Sequence, residues 1–418
     1  MKNLHRQLSR DVSSLNNKYE GYCLNACVKD KKVINFSPGP TQIPVPVLDL
    51  LYEKSAYGVT PYEISHRCPE FNTILNNVNN KMRKFMQVPN DFTILWTQGG
   101  GHGQFAAIPL NFKNIMNNKN ANYVVTGTWS DRAYKESLKF IKSHNSVKSN
   151  NESIKISNLD DFNFNISEDD KYVYLCSNET VNGLEFKDNG VPYPNRQQLK
   201  NSKLIIDMSS DMCMKKINWE SIDMAFACTS KNLGVAGANV VIIRDNLLEQ
   251  IDTKNEIPSI LDWNLYNKTN SLYNTPAIFN IFLIDKILDY YISIGGIETI
   301  EKNSILKAKL VYDFLDQSKI FKAVVTNTQL RSNINIPFIV SNGNDEIMSL
   351  FLNYCYQNNI VGLRTKTPFS YKDFGMIEPL RISLYNGISI EETYLLINTM
   401  KYFEEMIINR SSEYLIIN

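Results

Sequence analysis

A chain of 418 residues, 43% hydrophobic and 21% charged, can bury a large core and form more than one lobe. Its 44 basic and 43 acidic residues leave a formal net charge of +1, which excludes a broad electrostatic footprint for nucleic acid or an anionic membrane. No apolar run reaches the roughly 18 residues of a membrane span, and the N-terminus lacks the apolar block of a secretory signal. Seven cysteines without CxxC spacing and four histidines predict neither a disulfide framework nor a metal site, so a soluble, cytoplasmic protein is expected.

Residues 1–32 are polar with scattered apolar positions and read as an N-terminal extension. From "VINFSPGPTQIP" onward the punctuation becomes regular. Short apolar runs, "FTILWT", "NYVVTG", "YVYLCS", "KLIIDM", "DMAFAC" and "NVVIIR", alternate with amphipathic stretches. Runs that are apolar on both faces predict an α/β fold whose mostly parallel sheet is covered on both sides by helices. After "YNTPAIFNIFLIDKILDYYISIGG" come long helical patterns and the shorter strand candidate "NIPFIV". The expected division is therefore a large domain over 33–288, whose first residues pack with the second lobe, and a smaller α+β C-terminal domain over 289–418.

In an open parallel sheet the ligand site lies beyond the carboxyl ends of the strands. After "FTILWT" comes "QGGGHGQFAAIPLNF", where Gly99, Gly100, Gly101 and Gly103 can turn backbone N–H groups inward at a helix start, a cradle for an anion or simply a tight turn. After "SKLIID" stands Asp207, either a turn cap or a buried carboxylate that needs a partner. After "DMAFACTS" stands Lys231, either a solvated edge lysine or a nucleophile. Together the three answer the three parts of pyridoxal 5'-phosphate: its phosphate, its ring nitrogen and its aldehyde. Trp129 in "VVTGTWSDRAYKE", core residue or ring-stacking residue, follows a strand in the right order.

With those residues in place the chain resembles the phosphoserine aminotransferase family. The blocks "NFSPGPTQIP", "EISHR", "QGGGHGQFAAIPLN", "GTWS", "NETVNGLEF", "DMSSD", "SKNLGVAG", "YNTP" and "RSNIN" occur in that family's order, followed by "LRISLYN". The resemblance implies a fold-type I pyridoxal phosphate transferase with a seven-stranded large-domain sheet. It implies transamination between phosphoserine or 3-phosphohydroxypyruvate and glutamate or 2-oxoglutarate, in serine biosynthesis. Lys231 would be the Schiff-base lysine and Asp207 the partner of the pyridine nitrogen, Trp129 would stack on the ring, and Thr180 would hydrogen-bond its hydroxyl. Gly101, His102 and Ser230 would face the cofactor phosphate, with Asn274 and Thr275 reaching it from the other subunit of a homodimer with shared active sites. His66 and Arg67 would hold the distal anion of the substrate and Arg381 its α-carboxylate, a task suited to a guanidinium fork. The freed Lys231 amine would move the proton between substrate and cofactor, aided by a pKa that burial lowers.

Three positions depart from the family's pattern. Ser230 stands where a glutamine is usual, and His102 where some relatives carry arginine. A "KGHR" stretch is replaced by "GLRTKTPFSYKDFGMIEP", in which Arg364, Lys366 and Lys372 are the substitute cations. A same-family aminotransferase acting on a different 3-substituted 2-oxo acid is therefore the alternative reading, and a non-catalytic scaffold of the same fold a third.

Overall fold

The computed structural model describes residues 33–52, 58–147, 164–188, 190–251, 256–364 and 378–416. In chain order the first strands are β1 (Ile34–Asn35), β2 (Phe92–Gln98), β3 (Asn120–Val124), β4 (Ser143–Asn145), β5 (Asp170–Cys176), β6 (Asn178–Glu179) and β7 (Leu184–Glu185). They are followed by β8 (Lys203–Asp207), β9 (Met224–Cys228), β10 (Ala238–Arg244), β11 (Phe321–Ala323), β12 (Asn335–Val340), β13 (Ile360–Val361) and β14 (Leu380–Ser383). The main helices are α1 (Pro69–Phe85), α2 (Gly101–Phe112), α3 (Thr128–Ser137), α4 (Ile278–Ser293), α5 (Gly296–Gln317), α6 (Asp345–Gln357) and α7 (Ile390–Ile416).

Seven strands form the main sheet in the order β2-β10-β9-β8-β5-β3-β4. Only β10 runs against its neighbours, pairing antiparallel with both β2 and β9, so the other six point their carboxyl ends to one edge. The six apolar runs of the sequence each supply one strand. The seventh, β4, is a three-residue edge strand, Ser-His-Asn, too short and polar to show as a run. Leu204, Ile205 and Ile206 of β8 are completely buried, as a strand covered on both faces requires.

The covering helices are amphipathic. On α1 the buried positions Phe71, Leu75, Val78, Met82 and Phe85 recur at helical spacing, and each such side chain contributes roughly 1.5–3 kcal/mol of burial. Its first turn is set by Pro69 at N1 and by the Cys68 thiol, which accepts from the Phe71 amide. Between β9 and β10 the chain reverses through Gly234 and Gly237 at φ +120° and +130°. A Cβ at Gly234 would lie 2.8 Å from Leu283 of α4, so this turn must also be bare to pack.

A second core surrounds the antiparallel sheet β11-β12-β14. It is built on Phe321, Phe338, Phe351 and Phe403, with ring centroids of Phe321 and Phe351 4.9 Å apart. β1 pairs in parallel with β13, Ile34 opposite Ile360, so Ile34 and Phe36 belong to this second core although the chain then enters the first. The long helix α5 serves both, with Ile297 and Ile300 in one core and Ala308, Val311 and Leu315 in the other. Among the described residues no helix is long and apolar enough to cross a membrane.

Candidate active site

The shared carboxyl edge of the parallel strands opens into a cavity of about 380 Å³. Each strand end delivers one wall. The turn after β2 brings Gly100, Gly101 and His102, that after β3 brings Trp129, and that after β5 brings Asn178 and Thr180. Asp207 ends β8, while Ser230 and Lys231 follow β9. Arg381 of β14 comes from the second core and closes the same cavity.

Lys231 and Asp207 are the chemical centre. The lysine Nζ donates to Thr180 Oγ1 at 3.0 Å, and the Lys231 carbonyl accepts from Thr41 Oγ1 at 2.9 Å. Its alkyl stem lies against Gly39, where a Cβ would come within 3.5 Å of Lys231 Cγ. Burial drives the ammonium toward the neutral form, but the acidic groups around it, Tyr385, Cys228 and Asp207, outweigh it and raise the pKa. This corrects the expectation of a lysine lowered by burial: the acidic neighbours win. Asp207 Oδ1 accepts from the Ser209 amide at 2.8 Å and Oδ2 from Tyr174 OH at 3.3 Å. Burial pushes its carboxyl above the usual range, opposed by Ser209 and by the Lys231 charge.

At the anion end, α2 starts from Gly100 as its cap, and its first amides have no acceptor within the helix. No side-chain or backbone atom lies within 4 Å of where a Cβ would sit at Gly99 or Gly100, so the glycine turn opens onto free space. Ser209 and Ser230 hydroxyls stand at the same cavity. The His102 ring meets Trp129 edge-on with centroids 5.8 Å apart, and Arg132 donates to His102 Nε2 at 3.4 Å. Burial and the Arg132 charge both lower the His102 pKa, against Glu136 and Asp207.

The β6–β7 hairpin ties these walls together. Asn178 Nδ2 donates to Ser210 Oγ at 2.9 Å and to Asn335 Oδ1 at 2.8 Å, and Ser332 Oγ donates to Asn178 Oδ1 at 2.6 Å. Glu179 accepts the amides of Trp129 and Ser130 at 3.0 and 2.9 Å, and the Ser130 hydroxyl at 2.5 Å. Arg381 Nη1 donates to the Thr180 carbonyl at 2.9 Å. Behind Arg381, the buried Lys307 ammonium donates to the carbonyls of Leu384, Tyr385 and Ile388 at 3.0, 3.0 and 2.8 Å. Burial lowers its pKa to about 7, Glu392 opposing.

Of the residues singled out from the sequence, the structure gathers Gly101, His102, Trp129, Thr180, Asp207, Ser230, Lys231 and Arg381 around one cavity. It does not bring the others there. Asn274 accepts from Tyr266 OH at 3.4 Å and the Thr275 carbonyl from Gln98 Nε2 at 2.7 Å, both outside the cavity wall. His66 is half-buried, its Nε2 without a hydrogen-bond partner among the described residues, and Arg67 is exposed just before α1. Arg364 is exposed, while Lys366 and Lys372 lie outside the described residues. Sequence reasoning missed Ser209, Cys176, Cys228 and Tyr385, although each lies within an apolar run or motif singled out from the sequence. It also passed over Glu179, whose partners lie about fifty residues away in the chain.

The comparisons with known proteins point the same way. The Aminotransferase class-V profile matches residues 33–396. A probable phosphoserine aminotransferase of Caenorhabditis elegans is 34% identical over 381 residues, spanning 89% of this chain and 97% of that relative. A probable phosphoserine aminotransferase of Dictyostelium discoideum is 32% identical, spanning 90% of this chain and 98% of that one. The crystal structure of PLP-bound phosphoserine aminotransferase from Trichomonas vaginalis shares the fold with a TM-score of 0.79 at 31% identity, over 88% of this chain and 100% of that chain. A profile match that runs through both cores and every wall of the cavity leaves one assignment: this chain belongs to the aminotransferase class-V family.

Proposed function

We propose that this protein is a pyridoxal 5'-phosphate-dependent aminotransferase that exchanges an amino group between phosphoserine and 2-oxoglutarate. The observation that carries the reading is the convergence of Lys231, Thr180 and Asp207 with an amide-rich helix start around one cavity of about 380 Å³. The donor set fits the cofactor part by part. Gly101 and His102 amides with the Ser209 and Ser230 hydroxyls suit the phosphate, Asp207 a protonated ring nitrogen, and Trp129 the ring face. Thr180 suits the ring hydroxyl. When bound, pyridoxal phosphate supplies an electron-withdrawing ring and an aldehyde carbon that takes the substrate's amino group.

The chain's own residues supply the rest. Asp207, buried and held by the Ser209 amide, would keep a bound ring nitrogen protonated. Arg381 grips the α-carboxylate and thereby orients the α-hydrogen toward Lys231. Lys231 Nζ would take that proton as general base and hold it for return within the same site. An Asp207 carboxylate committed to a ring N–H supports an ammonium at Lys231 less strongly, which favours the neutral amine the step needs.

Three further points belong to this reading. Asn274 and Thr275 lie outside their own chain's cavity, which supports a homodimer whose partner completes each phosphate site. All five described cysteines are free, which supports a cytoplasmic location. The separate core around Phe321 and Phe351 supports the division into a large and a small domain.

The test is a single-turnover spectrum of the loaded protein on addition of L-phosphoserine, with L-glutamate in parallel. Conversion of the cofactor to its amine form by both establishes the pair. Conversion by glutamate alone would overturn phosphoserine and move the search to other 2-oxo acids.

A further inference from the structure

Glu179 is a carboxylate with no exposed surface, and no ion pair involving it is found among the described residues. Its oxygens are filled instead by three donors at the start of α3: the amides of Trp129 and Ser130 and the Ser130 hydroxyl. Asn182, three residues on, accepts the preceding amide, Thr128, at 2.9 Å and the Thr128 hydroxyl at 3.2 Å. Two side chains of one hairpin thus hold three consecutive amides. The space is made by Gly127, where a Cβ would fall 2.4 Å from Glu179 Cδ and 2.6 Å from Asn182 Oδ1. Gly127 sits at φ −170°, a conformation open to any residue, so the glycine serves room and not backbone freedom.

We infer that Glu179 is a positioning residue of the cofactor site: by fixing the first turn of α3 it sets where the Trp129 ring stands over the pocket, and through its neighbour Thr180 it shares one frame with Lys231 and Arg381. The inference rests on the proposed cofactor chemistry for its catalytic consequence, but not for the clamp itself. A carboxylate suits the task because it is acceptor-only when ionised, and three donors already point at it. A neutral carboxyl brings a donor of its own into that set and must release one of them. Burial raises the Glu179 pKa to about 7 against the Ser130 and Trp129 hydrogen bonds, with Asp207 adding to the rise. Tyr174 and Cys176 are the other titratable groups that feel its charge, and burial keeps both neutral. The clamp is therefore complete above about pH 7 and loosens as the pH falls through that value.

Glu179→Gln keeps the volume and replaces one acceptor by a donor. In the cofactor-free protein at pH 8, exchange of the Trp129 and Ser130 amides should quicken about tenfold, the equivalent of one lost hydrogen bond. In the loaded enzyme kcat should fall about tenfold or more, with KM for the amino acid less affected, because misorientation acts on the reacting geometry. The loss should shrink in a Trp129→Phe background, since the two changes act through one ring. Wild-type amide protection should weaken from pH 8 to pH 6, and that of Glu179→Gln should not. Unchanged exchange in the cofactor-free variant overturns the clamp, and an undiminished loss in the Trp129→Phe background overturns its action through Trp129. Exchange that quickens in a protein showing no transaminase activity at all would leave the clamp standing and count against the function. If Glu179→Gln does not fold, Glu179→Asp, which keeps the charge and shortens the reach to the three donors, should show the same effects at smaller amplitude; no effect there overturns the inference equally.

Discussion

The floor and the rim of this cavity are built differently. The floor, with Asp207 and Thr180 buried and Lys231 and Trp129 half-buried, is cross-linked by hydrogen bonds within one chain. The rim offers one buried guanidinium, Arg381, while His66, Arg67 and Arg364 stand away from the cavity. The difference teaches that the reactive residues are fixed by strand ends of a single sheet, whereas the cations expected to meet the substrate's far end stand on surface segments away from it. Substitutions in the floor should therefore remove reactivity itself, and those at the rim should move substrate preference.

The largest effect is expected at Lys231. Lys231→Ala should abolish nearly all turnover and the visible absorption that the lysine linkage gives the loaded protein, read by titration with cofactor. Surviving turnover would place the base elsewhere. Next, Asp207→Ala removes the carboxylate that would hold the ring nitrogen in the proposed chemistry, and losing one such preorganised electrostatic contact costs about a hundred- to a thousandfold in kcat, measured at saturating amino acid.

The comparison extends to what lies behind each region. The floor is backed by the Glu179 carboxylate and the rim by the Lys307 ammonium, which caps three carbonyls of the segment following Arg381. The folded-state pKa of Lys307 is depressed from 10.5 to about 7, so between those values the unfolded chain binds more protons and stability rises with pH. From pH 7 to pH 9 the gain from this group is about 2 kcal/mol. Denaturant melts at the two pH values should show it in the wild type, and Lys307→Met should flatten the slope even though it also leaves carbonyls unpaired. Equal slopes in both proteins would show that Lys307 does not set the trend.

At the rim proper, Arg381→Lys keeps the charge and loses the fork. One charged hydrogen bond of about 1.5–3 kcal/mol corresponds to roughly ten- to a hundredfold in kcat/KM for every amino acid tested. A loss confined to phosphoserine would instead put Arg381 at the distal anion.

How much of this was legible in the sequence follows the same divide. Six of the seven sheet strands were apolar runs bounded by turn residues, and Asp207 and Lys231 stood directly after two of them. The polar edge strand Ser143–Asn145 carries no such signal, because an edge strand three residues long buries too little to need apolar side chains. Glu179 was hidden for a related reason: its partners are backbone amides fifty residues away in the chain, which no local pattern records. The lysine's raised pKa was also illegible, since it depends on Tyr385 and Asp207 arriving from two different sheets.

The smallest effect is expected at Arg364, and it bears most directly on the substrate. The sequence offers Arg364 as a replacement for a phosphate-binding stretch that is missing, but its side chain is exposed and does not line the cavity. A surface substitution away from the site is worth within about 0.5 kcal/mol, so Arg364→Ala should change KM for phosphoserine by about twofold or less. A fully desolvated contact with a phosphate dianion would cost far more on removal, because charge-assisted bonds are the strong ones and the anion would be left unpaired. Arg67→Ala is the control, since its guanidinium is likewise exposed and stands away from the cavity within one chain. A large rise in KM for phosphoserine with Arg67→Ala and none with Arg364→Ala would place distal-anion recognition at the subunit boundary. A large rise with Arg364→Ala would show that Arg364 itself meets the substrate's far end, and the rim would then belong to the same chain as the floor.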